Sequence, residues 1–185
     1  MIPVWPRTIA ALTITFTLTG FTMTPNFKPE QATRSKSFQI ALPSAQAYNF
    51  FTPEGEKQWA EGWSPRYLNS PDGNPRAGLV FTTTHGVGET IWTMTRHEPE
   101  SGIVEYVRTT PGAWHAIIRV ALRASSDAAT EVTVAYQYTA LSEDGNAYIR
   151  NMDTRQYAKF IGEWESEISR ALLAKAPKES VKPAS

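Results

Sequence analysis

Few side chains in this sequence could do chemistry, and their positions frame the question of function. The histidines are three: His85, His97 and His115. Each falls at an expected strand end or turn, and no HExxH or similar ligand spacing joins them, so no metal site is expected. His85 faces Glu89 across Gly86-Val87-Gly88, an arrangement able to form an acid/base pair; the competing reading is a solvated hairpin-end histidine. Glu54, Glu56 and Lys57 follow Thr52-Pro53. A carboxylate there can act as a general acid at a cavity mouth or complement the positive end of a helix. The second role suits Glu54; for Glu56 both stay open.

Arg108 alternates with Val104 and Tyr106, so a strand would turn all three to one face. An inward arginine must meet an anion, or else lie at the sheet edge and run its head to water. Tyr136 and Tyr138 follow Val132 and Val134 on an apolar face. A buried tyrosine hydroxyl needs a partner: a backbone carbonyl in a core, or a ligand's polar group in a cavity. Trp92, Tyr106, Phe160 and Trp164 are candidates for either core or cavity wall. These with Arg108, Tyr136 and Tyr138 form the expected ligand-binding set; no catalytic residue is assigned. No serine sits in a G-x-S-x-G setting, and no phosphate-binding or dinucleotide fingerprint occurs, so no cofactor is expected.

These residues belong to a chain of 185, enough for about one domain with a substantial core. There is no cysteine, which excludes disulfides, thiolate metal sites and cysteine nucleophiles. Eighteen basic and eighteen acidic residues cancel, leaving no electrostatic footprint for nucleic acid. A hydrophobic fraction of 41% argues against wholesale disorder.

The elements that must position the candidates follow from patterning. Ser37–Leu42 reads as a strand with Phe38, Ile40 and Leu42 on one face. Ser44 is the expected cap of a short helix, Ala45–Phe51; Thr52 caps a second, with Pro53 at its first position. Asn69–Ala77 carries the Pro, Asp, Gly and Asn of a loop. Five segments then alternate at short spacing: Leu79–His85, Glu89–His97, Ile103–Thr109, Trp114–Ala124 and Thr130–Leu141. Short turns between successive strands imply an antiparallel meander with one buried and one wet face. Ser142 caps a final amphipathic helix, with Tyr157, Phe160, Ile161, Trp164, Ile168 and Leu172 at helical spacing and Lys159, Glu163, Glu167 and Arg170 off the stripe. It is expected to run roughly 28 residues, about 42 Å.

Residues 1–32 form an N-terminal extension. Thr8–Phe27 has no charge but is rich in threonine. It admits three readings: a disordered tail or an upstream extension with Met23 as the start, a secretory signal or anchor behind Arg7, or a strand built on Leu12, Ile14, Phe16 and Leu18. No stable membrane span is expected. The expected location is cytoplasmic, with export or membrane association through residues 8–23 as the alternative. Residues 33–175 make the globular domain; residues 176–185 make a Lys/Pro/Ser-rich disordered tail.

In this order the segments Thr52–Trp63 with Pro65, Gly88–Met94, Val104–Gly112, Ala140–Asn146 and Tyr157–Glu165 resemble the START-like helix-grip superfamily. More narrowly, the chain is similar to bacterial SRPBCC proteins of the polyketide cyclase/dehydratase and lipid-transport kind. The resemblance spans roughly Lys36–Leu172. It implies an α+β helix-grip fold: a curved antiparallel sheet of about six or seven strands wrapped around a long C-terminal helix, with two short helices after the first strand. It implies a cavity but not its ligand. The leading expectation is binding of a small hydrophobic, lipid- or polyketide-like molecule between sheet and helix. The first alternative is a cofactor-independent cyclase/dehydratase. The second is a chaperone-interacting module, which would need a large exposed apolar patch.

Overall fold

A computed structural model describes residues 27–84 and 88–175. The expectations that fall on residues 1–26, including Met23 as the start, on His85 and on the C-terminal tail lie outside the described residues. Strand β1 (Gln31–Ile40) leads into α1 (Ser44–Tyr48), a 3-10 turn at Asn49–Phe51, and the single-turn α2 (Pro53–Glu56). Then come β2 (Arg66–Tyr67), β3 (Val80–Thr84), β4 (Glu89–Glu98), β5 (Ile103–Thr110), β6 (Trp114–Ser126) and β7 (Ala129–Ala140). Helices α3 (Glu143–Asn151) and α4 (Thr154–Lys175) close the chain. All seven strands lie in one antiparallel sheet, ordered β1-β7-β6-β5-β4-β3-β2.

Alternation decides which face is covered. Ile118, Val120 and Leu122 of β6 and Val132, Val134, Tyr136 and Tyr138 of β7 are buried on the concave face. Arg119 and Gln137 between them are exposed. The register shifts between Met94 and Arg96 in β4 and between Ala124 and Ser126 in β6. Such bulges add local twist and help the sheet to curl. Helix α4 lies in the curl, burying Tyr157, Ile161 and Ile168. The Tyr157 hydroxyl donates to the Val134 carbonyl at 2.9 Å. Lys36 and Arg34 of β1 donate to the carbonyls of Ala158 (2.9 Å) and Met152 (3.1 Å). Helix and sheet edge are thus tied together as well as packed.

Several local expectations are corrected. β1 begins at Gln31, before the expected Ser37. Ser44 is the first residue of α1 rather than its cap; Pro43 holds the cap position and no side chain caps it. β2 was not anticipated. The single 28-residue helix is two helices, because Met152 leaves the helical region (φ −78°, ψ 56°) and Asp153 starts α4 by accepting from the Gln156 amide at 2.8 Å. The two foreseen caps are in place: Thr52 accepts from the Gly55 amide and Ser142 from the Gly145 amide, both at 3.0 Å. Both amides belong to glycines for a further reason. A Cβ on Gly55 would stand 1.6 Å from the Asn49 carbonyl oxygen, and one on Gly145 1.8 Å from that of Ala113. Backbone approaches backbone too closely at these two points for any side chain.

Candidate functional site

A cavity of about 250 Å³ lies between the concave face and α4. Beneath it, adjacent strands carry two cross-strand rows of concave-face residues, only some of which reach the cavity. One row runs Trp92–Arg108–Ala116–Tyr138; the next runs Met94–Tyr106–Ile118–Tyr136. Trp92, Tyr106, Arg108, Tyr136, Phe160 and Trp164 all line the cavity. Tyr138 does not: it packs against Trp114, Tyr136 and Tyr148 at ring distances of 5.5, 5.2 and 6.3 Å. Sequence reasoning did not single out Trp59, Trp63, Glu61, Glu163 or Glu167, which also line it. The two tryptophans sit in the turn after α2, where no periodicity marks an inward face. The glutamates of α4 look like wet-face residues because the cavity opens along that side.

Most aromatic walls present only ring surface. The indole N–H groups of Trp59, Trp63 and Trp92 donate to Phe50 O (2.8 Å), Pro53 O (2.7 Å) and Thr83 Oγ1 (2.9 Å). The Tyr106 hydroxyl donates to Phe51 O at 2.7 Å. The Tyr106 bond ties the Phe50–Pro53 backbone to the sheet, the Trp59 and Trp63 bonds fold the following turn back onto it, and all four consume the polar tips, as buried polar groups require. Three polar groups then remain for the interior: Glu56, Arg108 and Tyr136.

Arg108 is held by two indoles. Its Cζ stands 4.8 Å from the Trp92 ring centre and 4.4 Å from that of Trp114, within the range of cation–π attraction. The small Ala116 beside it in register leaves room for this packing. Among the described residues no hydrogen-bond acceptor reaches its buried Nε. Glu56 ends α2 and turns its carboxyl into the cavity. Burial pushes this carboxyl up to about 8, although the Arg108 charge pulls the other way. At neutral pH it is therefore mostly the neutral acid. Burial also raises the Tyr136 phenol, with Arg108 again opposing.

Glu54, two residues earlier, has the other fate. It pairs with Lys57 at 2.6 Å and accepts from the Tyr67 hydroxyl. Its carboxyl is lowered, first by the bond from Lys57. His97 lies edge-on to Tyr48 at 5.5 Å, and burial lowers its pKa. The His115 Nδ1 bonds the Thr109 hydroxyl at 2.9 Å. Neither lines the cavity.

No family profile matches the sequence, and no curated protein matches it significantly. Solved structures do match. Norcoclaurine synthase from Thalictrum flavum, solved with dopamine and hydroxybenzaldehyde, superposes with a TM-score of 0.60 at 12% identity, over 90% of this chain and 100% of that one. Ara h 8.0201 gives 0.56 at 12% identity, over 77% and 99%. The Zhui aromatase/cyclase from Streptomyces sp. R1128 gives 0.56 at 10% identity, over 77% and 96%. The chain shares the helix-grip fold of these structures, a curved antiparallel sheet around a long C-terminal helix. At these identities the likeness is one of fold.

Proposed function

We propose that this chain binds a small hydrophobic molecule in the cavity between sheet and α4. The observation that carries the reading is the division of labour among the lining residues: aromatic faces with satisfied polar tips surround Glu56, Arg108 and Tyr136, with the exposed Glu61 and Glu163 beside them at the opening. Such a pocket offers apolar area for affinity and a few fixed groups for orientation. Its volume sits just under the ~300–1,000 Å³ usual for small-molecule sites. That suits one or two rings better than a two-chain lipid or a long polyketide. The two aromatic ligands in the norcoclaurine synthase structure are of this size class.

Native and denaturing mass spectrometry of the full chain, with tryptophan-fluorescence titration against one- and two-ring aromatic compounds, tests the reading. We expect a mass released on denaturation, or saturable quenching that Trp92→Phe and Trp164→Phe weaken. A clean apo mass together with no saturable response would overturn it.

One observation favours a second reading, a cofactor-independent enzyme of the cyclase/dehydratase kind. Glu56 is poised near neutral pH beside Arg108 and Tyr136, as a general acid/base requires. Bound enolisable ketones should then exchange α-hydrogen for solvent deuterium, and Glu56→Gln should abolish the exchange while binding persists. Exchange equal to the solvent background would remove this reading.

A further inference from the structure

We propose that the inner end of the cavity is an oxyanion site, and that the ligand is a one- or two-ring monocarboxylate whose carboxylate meets the edge of Arg108. The inference rests on the binding reading above and adds the ligand's charge and orientation. With the Trp92 and Trp114 rings against it, Arg108 bonds through its guanidinium edge, where the Tyr136 hydroxyl is within reach as one acceptor. That edge includes the unpartnered, buried Nε. An arginine edge is a planar fork of donors, matched to the two oxygens of a carboxylate.

No internal anion takes the place. Glu56 faces the same cavity, yet the ion pairs among the described residues do not join it to Arg108. Held mostly as the neutral acid, it leaves the interior with a net positive charge and can itself donate to an anion. The Tyr136 hydroxyl is a further donor beside it. A cationic ligand would be repelled by Arg108, and a simple ketone would use only part of this donor set.

Arg108 of β5 opposes the effect of burial on Glu56; Glu56 in turn raises Tyr106 of β5, Tyr136 of β7 and Tyr67 of β2, while Glu61, Glu163 and Glu167 line the same cavity toward its mouth. The mouth carboxylates set the other end of the ligand. Glu61 and Glu163 are exposed, so solvent and salt weaken their effect on the deep site. Near the mouth they still disfavour a second negative charge. The ligand's outer end is therefore neutral or cationic, and dicarboxylates are rejected.

Three probes of one shape read the charge: 2-naphthoate, 2-naphthamide and 2-naphthylmethylammonium. Titration calorimetry on the full chain at pH 8, in phosphate and in Tris, gives affinity and the protons exchanged. We expect naphthoate to bind about ten- to a hundredfold more tightly than the amide. Its negative charge should also raise the proton affinity of Glu56, so that naphthoate takes up a fraction of a proton on binding. Arg108→Gln should bring the carboxylate-to-amide ratio to about one. Glu56→Gln keeps a neutral donor, and should keep the preference while abolishing the proton uptake. If the amide or the ammonium binds as well as naphthoate, or the ammonium binds with proton release, the oxyanion site is wrong and the cavity reading stands. If none of the three binds, the cavity reading falls and takes the inference with it.

Discussion

Glu56 offers a test that needs no ligand. Its carboxyl holds a proton far more tightly in the folded chain than an ordinary carboxyl does, so folding takes up a proton once the pH exceeds the unfolded value. The sign follows from linkage: stability is greatest below about 4.5 and falls as the pH rises toward 8, where the folded group ionises too and the loss levels off. A rise from 4.5 to about 8 sets a ceiling near ~5 kcal/mol, at ~1.4 kcal/mol per tenfold change in proton affinity. The side chain keeps some exposure, so solvent screening brings the expected loss down to about 2–3 kcal/mol. Glu56→Gln removes the titration and keeps the shape. The assay is urea unfolding of both proteins at pH 5, 7 and 9. Other titrating groups are common to both, so the difference isolates Glu56. The variant should gain about 2 kcal/mol relative to the parent between pH 5 and 9, mostly before pH 8. A difference constant to within ~0.5 kcal/mol would refute the buried neutral acid.

Further outcomes follow from packing and hydrogen bonding. Gly55→Ala drives a Cβ into the Asn49 carbonyl and should cost more than about 3 kcal/mol. Gly162→Ala meets only the Lys36 ammonium at 3.1 Å, the far end of a flexible side chain, and in mid-helix should be neutral or stabilising by up to ~1 kcal/mol; thermal unfolding of the pair gives both. Tyr157→Phe removes the hydroxyl bond to the Val134 carbonyl and should lower stability by about 1 kcal/mol. By contrast, Tyr136→Phe should act mainly on ligand affinity, a contrast read by unfolding beside fluorescence titration. Ser142→Ala removes the cap of α3 and should cost about 1 kcal/mol in urea unfolding.

What was legible depended on whether the cause was local. β6 and β7 alternate so regularly that their buried residues could be named from sequence. β1 shows no such pattern from Gln31 to Ser37; only Phe38 and Ile40 are buried. That stretch is a strand because it pairs along β7, from Gln31 opposite Thr139 to Ile40 opposite Thr130, and this long-range partner leaves no period in the sequence. The two-residue β2 is too short to show one. The break between α3 and α4 did carry a signal: Asp153 and Gln156 stand at N-cap spacing. It was hidden because an apolar stripe continues on its far side and neither glycine nor proline marks the junction.

The cavity chemistry shows the same boundary more sharply in Glu54 and Glu56. Both are glutamates in one turn of helix, and composition cannot separate them. At 100° per residue they point about 200° apart, so one must face away from whatever the other faces. The sequence could supply that opposition; which carboxylate faces inward required the sheet. The Tyr106 bond to the Phe51 carbonyl and the Tyr48 bond to the Ile103 carbonyl fasten the α1–α2 segment over the concave face, and the Trp59 and Trp63 bonds hold the following turn to that segment. That leaves Glu54 toward Tyr67 and Lys57, and Glu56 toward Arg108. Their opposite proton affinities are therefore a consequence of one docking geometry. If Glu54→Gln rather than Glu56→Gln removed the pH dependence of stability, the seating of α2 on the sheet would be reversed, and with it the assignment of every polar group inside the cavity.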